Sequence, residues 1–161
     1  MLKLDWLEAT EARREFFMAT EPIEYKYGKG INERSYIAAP FSEEVTLIRD
    51  ELNIGFGTNY NVCFLNRYDT QKNQLGWHAD DSPSMDLSHP IAVVSFGAER
   101  EIWWKEQSYK GEIPPENRRR LQSGSLFIMP LGFQELYYHK IPKCDRECGI
   151  RISLTFRRYL Y

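Results

Sequence analysis

Apolar and polar side chains alternate with a period of two from Asn59 onward, which is the pattern of half-buried β-strands. One face of the first such run carries four side chains: Val62, Phe64, Asn66 and Tyr68. Further short apolar runs occupy residues 91–96, 101–105, 124–130 and 150–159. Gly, Pro, Asn and Asp separate these runs. Short strands divided in this way predict an all-β sandwich, barrel or jelly roll.

Two helices are predicted before the strands. Residues 10–20 place Phe16 and Phe17 at helical spacing from earlier alanines, with charged residues between them. Ser42 is a favourable N-cap for a second helix, and acidic residues follow it in the first turn. The buried stripe of that helix is Val45, Ile48 and Leu52, and Gly55 ends it. Both helices are expected to pack on the outside of the sheet.

Composition and charge restrict the class of protein. The chain has 161 residues, of which 42% are hydrophobic and 27% charged, as in an ordinary soluble domain. An acidic residue near the start interrupts the apolar stretch that a signal peptide requires. No apolar stretch is long enough to span a bilayer. A single domain covering residues 1–161 is predicted, monomeric, not secreted and not membrane-bound. It is expected in the cytoplasm, or in the nucleus if the source is eukaryotic.

The net charge of −2 argues against a strong electrostatic grip on nucleic acid by the molecule as a whole. The distribution is uneven, however. Residues 1–60 carry 7 basic and 11 acidic side chains, whereas residues 140–161 carry 6 basic and 2 acidic ones. A local basic face is therefore compatible with a slightly acidic protein.

The three cysteines do not form the framework of a disulfide-rich protein. Cys63 lies in an apolar strand and is predicted to pack as a small hydrophobic residue. Cys144 and Cys148 are spaced C-x3-C in a charged loop, where a zinc site would need two further ligands. The only spare histidine is His89, so the two are predicted to be reduced thiols.

A candidate metal site lies in the turn-rich segment after the first strand. In an extended chain His78 and Asp80 point to the same side, and His139 follows 61 residues later. Two His and one carboxylate on one face of a metal leave positions open, which suits non-haem Fe(II) oxygen chemistry. A zinc hydrolase is the alternative, and a solvated His–Asp surface pair is the simplest explanation of all.

The last strand carries a second candidate site. One of its faces presents four polar side chains: Arg151, Ser153, Thr155 and Arg157. Such a face would cost several kcal/mol inside a barrel unless it met an anion, although at an exposed edge the arginines would be free. Six residues of strand span about 20 Å, so the two guanidinium groups can reach opposite ends of a small dicarboxylate. A simple hydrolase has no evident need of this pair.

These motifs occur in a recognisable order. Asn66-x-Tyr68 is followed by His78-x-Asp80, then by His139, and then by Arg151-x5-Arg157. Together with Ser95-Phe-Gly-Ala-x-Arg100 and the Leu154-Thr-Phe-Arg run, they resemble the AlkB family of Fe(II)/2-oxoglutarate dioxygenases over roughly residues 60 to 158. The chain is most similar to the nucleic-acid-repair members of that family.

The resemblance implies a mainly β fold, a double-stranded β-helix or jelly roll with two flanking N-terminal helices. Residues 1–58 would supply those helices and the loops of a substrate lid, and residues 59–161 would form the catalytic core. The implied cofactors are Fe(II), the co-substrate 2-oxoglutarate, and O2. The implied metal ligands are His78, Asp80 and His139.

The resemblance also implies roles around the co-substrate. Arg151 would bind the distal carboxylate of 2-oxoglutarate, and Arg157 the end that chelates iron. Asn66 and Tyr68 would add hydrogen bonds, and Thr155 would help to position the co-substrate. Asp81 is either a turn carboxylate without a role or, as the resemblance implies, a group that approaches the exocyclic amino group of a flipped base.

Residues 23–36 contain three tyrosines among glycines and charges, which indicates loops or short hairpin strands. Their rings either close the rim of the core or stack on a nucleobase. For the stacking role Tyr36 is the first choice, because it lies where the loop returns to the domain, and Tyr27 is the second. The basic run 118–120, with Lys140, Lys143, Arg146 and Arg158, forms either a solvated loop or a set of phosphate contacts.

The function that the resemblance implies is oxidative demethylation of N-alkylated nucleobases, such as 1-methyladenine and 3-methylcytosine, in DNA or RNA. The nucleic acid would be single-stranded or would present a flipped base. A second hypothesis keeps the cofactors but changes the substrate to a protein side chain or a small molecule, which the net acidic charge favours. A third is a non-catalytic β-barrel binding module with structural histidines.

Overall fold

The computed structural model describes residues 1, 3–10, 13–27 and 30–161, without the side chains of Glu8, Ala9, Thr10, Tyr27 and Asn32. The strands are β1 (Leu7–Thr10), β2 (Arg13–Ala19), β3 (Glu24–Tyr27), β4 (Arg34–Ile37), β5 (Val62–Tyr68), β6 (Leu75–His78), β7 (Ile91–Gly97), β8 (Arg100–Glu106), β9 (Arg118–Leu121), β10 (Leu126–Met129), β11 (Tyr137–Ile141) and β12 (Arg151–Arg157). The helices are α1 (Glu43–Phe56) and α2 (Phe133–Leu136). No helix in the described ranges is long and apolar enough to cross a membrane.

Ten of these strands form two antiparallel sheets. The larger sheet has the order β1-β2-β5-β12-β7-β10, and the smaller one has the order β6-β11-β8-β9. Apolar side chains from both sheets meet in shared clusters, such as Tyr68 with Ile102 and Ile141, so the sheets pack face to face. The prediction of a mainly β jelly roll is confirmed by this architecture.

The last strand is central and not exposed. β12 lies between β5 and β7 and pairs with both along its length. Residues 151–156 are all buried. The alternative of an exposed edge for the polar face of this strand is therefore excluded. Register places Arg151 opposite Tyr68 and Ser153 opposite Asn66, so these side chains share the face that looks into the jelly roll.

The predicted helix over residues 10–20 is wrong. Residues 13–19 form β2, which pairs with β5 from Arg14 to Ala19. Phe17 and Ala19 enter the cluster between the sheets, while Met18 enters the cluster on the opposite face. A strand that is buried on both faces reads as a continuous apolar run, and such a run does not distinguish a strand from a helix by its period. Pairing with β5 decides the conformation.

The second predicted helix is confirmed as α1. The Oγ of its N-cap Ser42 accepts a hydrogen bond from the backbone N–H of Val45. The helix runs slightly further than expected, to Phe56, and Gly57 ends it with a φ of 63°. Val45 and Leu52 pack on Cys63 and neighbouring side chains of the larger sheet. Because α1 covers the outer face of that sheet, the inner face is left for the polar groups of β12.

β3 and β4 pair as an antiparallel hairpin, in which Tyr25 lies opposite Tyr36. The expectation of hairpin strands in this segment is confirmed. The two rings stack with their centroids 6.1 Å apart, and the Tyr25 ring also packs against Phe64 of β5. The hairpin therefore rests on the open end of the jelly roll, with its aromatic side chains turned toward the interior.

Gly97 at the end of β7 makes the approach of β12 possible. Its φ is +88°, and a Cβ at this position would overlap the backbone carbonyl oxygen of Ile150. We expect Gly97→Ala to lower the free energy of unfolding by about 2 kcal/mol, because the strain and the overlap act together. Urea denaturation measures the effect. Gly149→Ala is the matched control, because a Cβ there would meet no atom within 4 Å, and an equal loss in both variants would contradict the argument.

Candidate metal centre and substrate cavity

The smaller sheet brings the three predicted metal ligands together. His78 ends β6 and lies directly opposite His139 of β11 in the antiparallel register. Asp80 follows two residues later, in the loop after β6. The Nε2 of His78 lies 3.7 Å from Oδ1 of Asp80, and the Nε2 of His139 lies 3.5 Å from Oδ2. One ligand atom from each of the three residues lies within 4.8 Å of the others.

Hydrogen bonding and burial prepare His78 as a neutral ligand. The Nδ1 of His78 lies 2.8 Å from the carbonyl oxygen of Gly76, so it carries the proton and leaves the Nε2 lone pair free. Burial lowers the pKa of His78, and the adjacent His139 ring lowers it further. His78 remains partly exposed on the side of the cavity, whereas His139 is buried.

Asp80 is buried and ionised. Burial alone would raise its pKa, but the Arg157 guanidinium and the two histidines hold that pKa below its usual range. The Nη2 of Arg157 donates to Oδ1 at 2.6 Å. Oδ2 has no hydrogen-bond partner among the described residues, although it is buried. Two imidazoles and one carboxylate with an unsatisfied oxygen are a donor set that fits a divalent iron ion.

Gln134 of α2 is part of this centre, although no sequence motif points to it. Its Oε1 accepts the backbone N–H of Asp80 at 2.8 Å, and the residue is buried. Its Nε2 points at the sulfur of Met129, 3.5 Å away. A glutamine 54 positions from its partner follows no motif or period. Gln134 holds the backbone of the metal-binding loop against α2 and so orients the carboxylate.

We expect Gln134→Leu to weaken Fe(II) binding about tenfold, because groups that orient metal ligands typically contribute 10- to 100-fold to metal affinity. The leucine has a similar volume but leaves the N–H of Asp80 buried without an acceptor. Calorimetric titration with Fe(II) under anaerobic conditions measures the change. Gln122→Leu at an exposed position is the control. Equal affinities in the two variants would contradict the role of Gln134.

The second predicted site lies at the other end of β12. Arg151 is 1% exposed, and its Nη2 donates to Oγ of Ser95 at 2.9 Å. Its Nε and Nη1, and the hydroxyl of Tyr68, have no hydrogen-bond partner among the described residues. Burial lowers the pKa of Arg151. A buried guanidinium with two free donor groups is costly unless an anion binds it, so these residues fit a carboxylate.

Arg100 adds a second cation to this end of the jelly roll. The carbons at the centres of its guanidinium group and of that of Arg151 each lie 5.2 Å from the centroid of the Tyr68 ring. Arg100 is itself fastened, because its Nη2 donates to the carbonyl oxygens of Asn73 and Pro142 at 2.6 Å. Arg100 is the last residue of the Ser95-Phe-Gly-Ala-x-Arg100 motif, and the sequence alone assigns it no role. It ties the loops after β5 and β11 to the wall of the anion site.

The remaining predicted co-substrate residues line the same face. Asn66 lies in the wall of the cavity, and its Oδ1 accepts a hydrogen bond from Nε of Arg13 at 2.9 Å. Thr155 is buried opposite Phe64. Arg157 packs on the Phe64 ring and contacts Asp80, so it lies beside the metal ligands while Arg151 lies six residues away. The arrangement can hold the two ends of a short dicarboxylate.

A cavity of about 330 Å³ opens onto the metal ligands. Its wall includes the aromatic rings of Phe17, Tyr25, Tyr36 and Phe64, and Asp81 contributes an exposed carboxylate. The Tyr36 hydroxyl donates to Oε2 of Glu15 at 2.7 Å. Burial, helped by this bond, raises the pKa of Tyr36 to about 12. The side chain of Tyr27, the second choice for stacking, lies outside the described part of the chain.

Other sequence features have plain structural outcomes. The basic run 118–120 forms β9 and is not a loop. Trp104 packs inward on Phe127, and Trp103 contacts the guanidinium of Arg118. Cys144 and Cys148 are free thiols. Burial raises the pKa of Cys144, and Cys148 raises it further.

A jelly roll with two histidines, one carboxylate and a buried arginine on its inner face defines the class of mononuclear non-haem iron oxygenases that use a 2-oxo acid. The chain belongs to the 2OG-Fe(II) oxygenase superfamily, whose family model matches residues 5–157. Fe(II), 2-oxoglutarate and O2 are therefore confirmed as its cofactors. The expectation of a non-catalytic binding module is wrong.

Curated relatives agree with the resemblance to the AlkB family. The chain is 31% identical over 125 residues to the DNA oxidative demethylase ALKBH2 of Bos taurus, which covers 75% of this chain and 45% of that protein. It is 30% identical over 121 residues to the alpha-ketoglutarate-dependent dioxygenase alkB homolog 3 of Bos taurus, covering 69% of this chain and 41% of that protein. The chain spans about half the length of the curated relatives it matches.

A solved structure supports the fold independently. The structure described as OsALKBH1 matches with a TM-score of 0.59 at 16% identity, covering 91% of this chain and 78% of that one. This match concerns the architecture alone. The similarity to the AlkB family beyond the motifs rests on the curated relatives.

Proposed function

We propose that this protein removes alkyl groups from the nitrogens of nucleobases by Fe(II)- and 2-oxoglutarate-dependent oxidation. The observation that carries the proposal is the cavity itself. It combines three metal-ligand candidates at its base, stacked tyrosines in its wall and the free carboxylate of Asp81. A flat, unstacked base needs aromatic surfaces, and a cationic methylated base gains from a nearby carboxylate. The names of the ALKBH2 relatives support this substrate class.

The reaction balances as follows. One O2 oxidises 2-oxoglutarate to succinate and CO2 and places its other oxygen atom on the N-methyl group. The N–C bond of the resulting hydroxymethyl group then breaks, and formaldehyde leaves. The electron pair of that bond returns to the ring nitrogen, and the hydroxyl proton goes to that nitrogen or to water. Bound iron supplies the activation of O2 in this scheme. The protein's own groups bind, orient and exclude water.

Each end of the co-substrate has a proposed partner. Arg151 binds the distal carboxylate through donors of its guanidinium group that have no partner among the described residues, and Tyr68 adds its hydroxyl. Asn66 lies between the two ends, its amide oriented by the hydrogen bond from Arg13. Arg157 keeps Asp80 ionised and lies beside the end that chelates the metal. Thr155 lies on the same face. His78, Asp80 and His139 hold the iron.

The base is proposed to lie between the imidazole of His78 and the ring of Tyr36, with Asp81 beside its amino group. Tyr36 is anchored by Glu15 and backed by Tyr25, so its ring is positioned before a substrate arrives. The partner is accordingly a nucleic acid with an unpaired or flipped base. We further propose that the protein acts as a monomer in the cytoplasm or the nucleus.

The test is a stoichiometric release assay. Trinucleotides of DNA and of RNA carrying 1-methyladenine or 3-methylcytosine are incubated with Fe(II), 2-oxoglutarate and ascorbate. Equal amounts of formaldehyde, succinate and restored base are expected. Unmethylated trinucleotides are the control. If succinate forms at the same rate without methylated substrate, and no base is restored, the nucleobase proposal fails, and a protein side chain or a small molecule becomes the better candidate substrate.

We expect Tyr36→Ala to lower kcat/KM on a methylated trinucleotide about tenfold, because loss of one base–aromatic stack costs about 1–3 kcal/mol. Tyr36→Phe keeps the ring and removes only the hydrogen bond to Glu15, so it should retain most of the activity. Initial rates of base restoration measure both variants. A loss that is equally large in Tyr36→Phe would show that the hydroxyl matters and that stacking does not.

A further inference from the structure

The outer face of the smaller sheet carries alternating cations and indole rings, which we name the cation–indole ladder: Lys105, Trp77, Lys140, Trp103 and Arg118. The Nζ of Lys105 lies 4.8 Å from the Trp77 ring centroid, and the Nζ of Lys140 lies 5.1 Å from it. Lys140 also lies 5.2 Å from the Trp103 ring, which the guanidinium carbon of Arg118 approaches to 4.4 Å. Each cation is therefore held at a defined position.

The ladder crosses the whole sheet. Its members come from β6, β11, β8 and β9, and register aligns Lys140 with Trp103 and Trp103 with Arg118. The alternation of side chains along each strand turns the ladder away from the metal site, because Lys140 follows the inward-facing His139. Three strand spacings make the ladder about 14 Å wide. All five side chains are half-buried. The Nε and Nη2 of Arg118 donate to the carbonyl oxygen of Ile113, so part of that guanidinium group is already bonded to the backbone.

The cations of the ladder are not neutralised. Within the described ranges, Lys105, Lys140 and Arg118 take part in no ion pair. The carboxylate of Glu101, on the same strand as Trp103, accepts a hydrogen bond from the Trp103 indole at 2.6 Å. Glu99, Asp145 and Glu147 line the recess beside Arg118 but form no ion pair with the ladder among the described residues. If the ladder only stabilised the sheet, acidic side chains paired with its three cations would add to that stability. Unpaired positive charge on a protein with a net charge of −2 marks a place for an anion.

One end of the ladder reaches the substrate cavity. Trp77 contributes to the cavity wall and immediately precedes His78. A base inside the cavity is joined covalently to nucleotides that must leave through its mouth. Lys105 and Lys140, which stack on Trp77 and form no ion pair among the described residues, supply positive charge on that side. A linear polyanion of one strand would thus meet a row of fixed positive charges.

We propose that the cation–indole ladder binds the sugar–phosphate backbone of a single nucleic-acid strand, next to the base that occupies the cavity. This inference rests on the proposed function and extends it from the base to the strand. The stacked cations contact phosphates and carry no sequence information. The ladder thereby favours substrates that extend beyond the reacting nucleotide, and the indoles hold the cations in position for them.

The experiment compares a methylated trinucleotide with a methylated single strand of about 15 nucleotides at about 0.1 M and about 1 M salt. For the long strand at the lower salt, Lys140→Ala should raise KM about fivefold, the factor for one lost phosphate contact, and Lys105→Ala/Lys140→Ala about 25-fold. KM for the trinucleotide should stay unchanged in both variants. At the higher salt, KM for the long strand should be the same in the variants as in the wild-type protein. Lys140→Gln keeps the stem on both rings and should match Lys140→Ala.

Lys3→Ala is the matched control, because it removes one positive charge from an exposed site beside α1. An equal KM increase in this variant would show an effect of net charge only and would overturn the proposal. So would an unchanged KM for the long strand in the double variant, or an effect confined to a duplex of the same sequence. If the wild-type protein restores no base in the trinucleotide, the proposed function fails. If it does so without any effect of the ladder variants, only the ladder fails.

Discussion

Asp80→Asn is expected to abolish stoichiometric Fe(II) binding and with it all base restoration. The substitution keeps the shape of the side chain but removes the negative charge from a buried site between two histidines and Arg157. Removal of one partner from a buried ion pair costs about 3–5 kcal/mol, or about 10²- to 10⁴-fold in an equilibrium constant. Loss of a ligand to the metal adds to this. Anaerobic titration with Fe(II) and the release assay measure the two losses separately.

Asp86→Asn is the control for this substitution. Its carboxylate accepts hydrogen bonds from Ser88 and pairs with His89, outside the metal centre. It should bind iron and turn over at the wild-type level. An Asp80→Asn protein that kept Fe(II) affinity within threefold of wild type would show that the three grouped side chains are not the metal site.

Arg151→Met is expected to have opposite effects on co-substrate binding and on the stability of the ligand-free protein. Loss of a bidentate, charge-assisted contact should raise the Kd for 2-oxoglutarate by about 10- to 150-fold, which corresponds to about 1.5–3 kcal/mol. Without ligand, Arg151 is a buried cation with two donor groups unpaired, so an apolar side chain of similar length should raise the Tm or leave it unchanged. Calorimetry and thermal unfolding provide the two values.

Two comparisons make that result specific. Arg151→Lys keeps the charge but loses the planar fork, so its Kd should lie between those of the wild-type protein and Arg151→Met. Arg158→Met alters the neighbouring surface, where the guanidinium contacts the carbonyl of Asn59, and should leave the Kd unchanged. If Arg151→Met lowered the Tm and left the Kd unchanged, Arg151 would be a structural residue and not part of an anion site.

The parts of the fold that were predictable are those in which local pattern and tertiary structure agree. Ser42 and the stripe that follows it predict α1 because a cap and a helical period are local properties. The polar face of β12 is visible because a period of two makes it conspicuous beside an apolar face. The period does not reveal β2, because consecutive residues at its C-terminal end are buried on both faces. Its state depends on pairing with β5, as when Met18 pairs with Cys63, 45 residues away.

The candidate site shows the same division. His78, Asp80 and His139 could be named from the sequence because metal ligands are few in type, and the chain has only three histidines. Gln134 could not, since an amide that accepts one backbone hydrogen bond belongs to a common residue type at an arbitrary distance along the chain. The sequence shows Arg100 only as part of a motif and does not predict its role. Its partners are backbone carbonyl oxygens, which every residue provides.

The pairing of His78 with His139 affects how firmly the edge strand β6 is attached to β11. β6 is the edge strand of the smaller sheet, and its register with β11 is irregular, with pairs at His78–His139 and Leu75–Ile141. An ion bound by both histidines would link β6 to β11 where their pairing is irregular. This link would stabilise the closed state, because separation of the two strands would no longer gain the conformational entropy of an open loop. The apoprotein would then fray first at β6, and amide hydrogen exchange there would report metal occupancy before any catalytic assay does.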